Sequence, residues 1–184
     1  MEFVMKKILL FLLLSIVCCC SYSQVYLTRT AYIGFFSKTP AEDIKAINNQ
    51  VYAAIDAGKN NLAFSLLLKS FTFTKELMQE HFNENYVESD KYPKASFTGT
   101  YSGNVDLTKN GIYNVAVKGN ITLHNTTKAI ETPATLEVKD THLIGTAQFK
   151  LKPEDFNMTI PSLVRGKIAQ EITVNINADC TLKQ

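Results

Sequence analysis

From Ala31 to the C-terminus, apolar and polar side chains alternate in one stretch after another, the pattern of strands with one buried and one exposed face. The longest run is Tyr113, Val115, Val117, Gly119, Ile121 and Leu123. Others are Ala31, Ile33, Phe35, then Leu62, Phe64, Leu66, Leu68, then Leu143, Gly145, Ala147, Phe149, Leu151, and finally Ile172 to Leu182. A period of 3.6 could not hold these residues on one side, so the chain is expected to be mainly β. Turn-forming clusters separate the runs: Pro40-Ala41-Glu42-Asp43, Gly58-Lys59-Asn60-Asn61, Lys109-Asn110-Gly111 and Lys139-Asp140-Thr141-His142. With strands also expected over Asn48 to Asp56, from Ala95, Phe97 and Gly99 onward, and over Ile130 to Val138, about eight antiparallel strands result, enough to close a lipocalin-like barrel.

One segment departs from that rhythm. Leu77, Met78, His81 and Phe82 fall on one face of a short helix over Thr74 to Glu84, with Lys75, Glu76, Gln79 and Glu80 opposite and Thr74 as N-cap. Tyr92-Pro93 returns the chain to extended backbone.

The N-terminus reads as a secretory signal peptide over residues 1–23. Lys6 and Lys7 precede the apolar run Ile8 to Val17, and Ser21-Tyr22-Ser23 supplies the cleavage site. At ~1.5 Å per residue, the run reaches only about half the hydrocarbon thickness of a bilayer. Cys18, Cys19 or Cys20 could instead carry the acyl chains of a lipoprotein, but Val17 and the cysteines themselves fit poorly where such signals place Gly, Ala or Ser. Either route exports a domain over 24–184, to the periplasm or outside the cell. Cleavage leaves Cys180 alone, so the fold relies on its core rather than on disulfides, and its place in an alternating run makes a buried inert thiol the expected role.

Composition narrows the function. Nineteen basic residues against 17 acidic ones, with no basic block, exclude strong polyanion binding and therefore nucleic acid as partner. The densest polar cluster, His81, Glu84, Tyr86, Glu88 and Asp90, has no second His at metal-binding spacing, and His124 and His142 lie far away in sequence. No phosphate loop, nucleophile elbow, Cys-x-x-Cys pair or triad spacing occurs, so neither catalysis, a metal nor a cofactor is expected. What remains is the inward set. Its aliphatic and aromatic side chains, with Ala31, Gly99, Gly145 and Ala147 leaving room, suit either an apolar ligand or a plain filled core.

The run Phe71-Thr72-Phe73, then Leu77-Met78-Gln79-Glu80-His81-Phe82-Asn83-Glu84-Asn85-Tyr86, then Glu88-Ser89-Asp90-Lys91-Tyr92-Pro93-Lys94-Ala95-Ser96-Phe97 resembles the YceI-like family of exported lipocalin-like barrels, in wording nearest a Bacteroidetes-like subgroup. Tyr113 to His124 is similar to that family's middle strand. The resemblance implies an eight-stranded barrel whose tunnel holds an isoprenoid-type chain, polyprenyl or quinone-like. By position it implies tunnel roles for Ile33, Phe35, Phe64, Leu66 and Leu68, and closure of one end by Met78 and Phe82. Phe97, Val115, Val117 and Phe149 complete the expected ligand-binding set from the inward stripes. Such a carrier would make transient contact with a membrane. The competing expectation is an envelope interaction domain with a filled core, working through the loops Lys38 to Asp43 and Glu84 to Lys91.

Overall fold

The computed structural model describes residues 24–183. The expected signal peptide and the triplet Cys18, Cys19 and Cys20 lie outside the described residues. The strands are β1 (Val25–Lys38), β2 (Asp43–Asp56), β3 (Asn61–Leu67), a two-residue β4 (Thr72–Phe73), β5 (Lys94–Ser102), β6 (Gly111–Leu123), β7 (Thr126–Lys139), β8 (His142–Leu151) and β9 (Ile172–Leu182). One helix, α1 (Glu76–His81), runs into a single π-helical turn over Phe82–Tyr86.

Eight strands close an antiparallel barrel in the order β1-β9-β8-β7-β6-β5-β3-β2, sealed by pairing of β2 with β1, while β4 adds to the outer part of β2. Closure satisfies the backbone groups that an open sheet would leave at its edges. Register shifts in β1 near Thr28 to Ile33 bend that strand so that it serves two neighbours at the closing seam. The β6–β7 hairpin turns through His124 and Asn125, both at positive φ (49° and 56°), a geometry that matches the right-handed twist of the strands on either side.

The ladder between β7 and β8 is incomplete. β7 pairs with β8 only over Ala134–Lys139, beginning just past Pro133, which has no N–H to donate. Beyond it, the Thr132 hydroxyl lies 3.3 Å from Gln148 O, within reach to donate across the parted strands.

The strand boundaries extend the sequence expectation: β1 runs well past Ala31–Phe35 on both sides, and β2 starts at Asp43 rather than Asn48. The helix departs from it more sharply. Lys75, not Thr74, is the N-cap, and no side chain caps the helix. Leu77, expected on the inner face, is 60% exposed. A helix of six residues that widens into a π turn does not keep one face inward, so of these four only Met78 and Phe82 tuck in.

Side chains fill the lumen toward the end of the barrel away from α1. There Ile55, Leu143, Ala178 and Cys180 are fully buried, and Leu136 and Val138 nearly so. This half is packed with side chains.

Candidate functional site

The other half holds an apolar cavity of about 490 Å³, within the usual range for small-molecule sites. Alternation builds its walls. Phe35, Phe64, Phe97, Val117, Phe149 and Ile176 each project inward from a different strand, and Ala95, Ala134 and Ala147 leave the central volume free between them. All of the residues expected from sequence, Ile33, Phe35, Phe64, Leu66, Leu68, Met78, Phe82, Phe97, Val115, Val117 and Phe149, border this one cavity.

Four phenylalanines wall the end beside α1. Phe35, Phe71, Phe73 and Phe82 come from β1, the turn after β3, β4 and the π turn, and their ring centroids lie 5.1 to 5.7 Å apart in tilted and edge-on contacts. Such contacts add about 0.5–1.5 kcal/mol per pair beyond burial, so this wall is rigid. A second pair, Phe64 and Phe97, meets edge-on at 6.3 Å on β3 and β5. Phe97 lies over two glycines that face each other, Gly99 and Gly119, where a Cβ on either would fall within 2.8 Å of both its ring and the opposing backbone. The two strands approach closely only because both residues are glycine.

The mouth is polar and lies among Glu42, Lys75, Leu77, His81 and Lys167. Lys75 Nζ donates to Glu42 Oε1 at 2.7 Å, tying the β1–β2 turn to the start of α1. That hydrogen bond, with the Lys75 and Lys167 charges adding to it, holds the Glu42 carboxyl below the usual carboxylate range. Ser37, 2% exposed, accepts the Ala169 N–H at 2.8 Å and so pins the long β8–β9 connection to β1 beside the opening.

Sequence reasoning missed Glu42, Lys75 and Lys167 at the mouth, and Pro153, Met158, Ile160 and Ile168, which the β8–β9 connection contributes to the lining. Loops have no periodicity to mark an inward side, so no local signal could have found these. Tyr113, which opens the longest alternating run, does not border the cavity; its hydroxyl lies 3.1 Å from Asp106 O and 3.0 Å from Lys109 O at the packed end, within reach to donate to either carbonyl. His81 stands at the mouth, exposed, and Glu84 is exposed as well. Among the described residues no three His, Cys, Asp or Glu side chains gather where they could hold a metal ion. Burial pushes the Cys180 thiol up to about 12, with the Asp179 charge adding to it.

The profile of the YceI-like domain matches residues 23–180. Among solved structures, a polyisoprenoid-binding domain from Saccharophagus degradans, implicated in plant cell wall breakdown, aligns with a TM-score of 0.74 at 15% identity, over 88% of this chain and 99% of that one. BcnA of Burkholderia cenocepacia aligns at 0.67 and 13% identity, over 80% and 94%. A YceI protein of Campylobacter jejuni aligns at 0.61 and 16% identity, over 76% and 85%. At these identities the likeness is one of fold. No curated protein sequence matches the chain.

Proposed function

The chain belongs to the YceI-like family, and from that premise we propose that it is an exported binding protein, holding the apolar chain of an isoprenoid-type lipid, polyprenyl or quinone-like, for carriage, storage or sequestration. The observation that carries this reading is the 490 Å³ cavity with phenylalanine and aliphatic walls and a charged mouth. Each CH₂ buried in it contributes about 0.8 kcal/mol, before ordering costs. The mechanism is burial of the chain, with the polar head left at Glu42, Lys75 and Lys167. The polyisoprenoid-binding description of the Saccharophagus degradans domain supports the same ligand class.

The test is native mass spectrometry of the protein purified from its own cell envelope, followed by organic extraction. A stoichiometric isoprenoid or quinone in the extract is the expected result. An apo mass that stays unchanged after incubation with polyprenyl lipids would overturn the proposal and turn attention to the loops.

A further inference from the structure

Ile55 and Gly145 face each other across the barrel interior. They belong to β2 and β8, which β1 and β9 separate on the shorter way round. A Cβ built on Gly145 would nevertheless stand 3.6 Å from Ile55 Cδ1 and 3.6 Å from Leu136 Cδ2. Ile55 therefore spans the lumen, and Gly145 is the space that receives it. Exposure agrees with a floor at this height: Ile55, at 0%, is the least exposed residue of the cavity wall and Leu136 is at 3%, whereas the rings of Phe64, Phe97 and Phe149 above them belong to half-buried residues. Beside the floor Ala178, the cross-strand partner of Gly145, is fully buried, as are Leu143 and Cys180 below it.

We infer that the tunnel is a length gauge, closed by Ile55 and Leu136 against Gly145, that accommodates an isoprenoid chain only as far as this floor and gains nothing from further units. The inference rests on the binding reading above and specifies its ligand. A longer chain cannot pass the floor, so its surplus carbons stand at the mouth among Lys75, Glu42 and Lys167, where they remain in contact with water and no burial free energy is gained.

The experiment is a titration of the full-length protein with prenyl alcohols of two, three, four, six and eight units. Affinity is expected to rise about tenfold or more per unit until the chain reaches the floor and then to stay level. Ile55→Ala is expected to move the break to a longer alcohol, and Ala147→Phe, higher in the cavity, to move it to a shorter one. Affinity that climbs steadily through eight units, or a break that neither variant moves, would overturn the gauge while leaving lipid binding intact. Failure of every alcohol to bind would remove the premise and the gauge together.

Discussion

His124 joins three segments that are far apart in sequence. Its Nδ1 donates to Phe156 O at 3.0 Å, Nε2 lies 2.8 Å from Glu88 Oε2, and the ring meets Tyr92 edge-on at 4.4 Å. The hairpin turn is thereby tied both to the segment after the π turn and to the 3₁₀ turn after β8. Phe156 is buried, so His124→Ala would leave its carbonyl unpartnered and remove the aromatic contact. A loss of about 2–3 kcal/mol follows, read as a lower urea midpoint; a shift under about 0.5 kcal/mol would show the contacts to be incidental. Nothing around His124 in the sequence announces this role, because Glu88 and Phe156 reach it only through the barrel topology. Cys180 behaves as its surroundings in an alternating strand suggest. Its thiol, raised from 9.0 to about 12, stays protonated in the folded protein well above neutrality, so peptide mapping after alkylation at pH 8.5 should find Cys180 unlabelled until the chain unfolds. Because an unfolded thiol ionises near pH 9 while the folded one does not, the unfolded state binds fewer protons above that pH. Stability attributable to Cys180 is therefore present below pH 9 and falls as pH rises from 9 toward 12.

At the level of elements, the contact of β5 with β6 shows how one face of a strand is made to serve the cavity. Gly99 pairs directly with Gly119, and the Phe97 ring covers both. A methyl group at Gly119 would stand 2.4 Å from Thr98 O, 2.6 Å from Phe97 Cζ and 2.7 Å from Gly99 Cα. Two of those obstacles are backbone, so Gly119→Ala should cost about 1–3 kcal/mol, and adding Phe97→Ala should not restore the loss. Recovery in the double variant, measured by denaturant unfolding, would mean that the ring alone is the obstacle. Elements with a strong period were legible from sequence for this reason: the inward residues of β3, β5, β6 and β8 are fixed by alternation, and one glycine or alanine more or less does not change their side. α1 was only partly legible. Its six residues contain less than two turns, and tertiary packing of Phe82 with Phe35, Phe71 and Phe73 sets its orientation more than its own pattern does. The β8–β9 connection was not legible at all, since Met158, Ile160 and Ile168 reach the cavity from backbone without a repeating geometry.

Over the whole molecule, one alternating pattern produces two different interiors. In the half away from α1 the inward side chains meet and fill the lumen; in the other half alanines at 95, 134 and 147 keep opposite walls apart, while the loops and α1 bring the charged rim to the open end. The same substitution should therefore have opposite consequences at the two heights. Ala178, 0% exposed and paired with Gly145, has no neighbouring space, so Ala178→Trp overfills the packed half and should destabilise by at least about 3 kcal/mol or prevent folding. Ala147, two residues along β8 from Gly145, borders the cavity, so Ala147→Trp should place its ring in the lumen, keep the unfolding midpoint within about 1 kcal/mol of the parent and abolish lipid binding by occupying the site. Parallel unfolding and lipid-binding measurements on the two variants decide it. Equal destabilisation at both positions, with lipid still bound by the Ala147 variant, would mean that the interior is uniformly packed and that the ligand lies elsewhere.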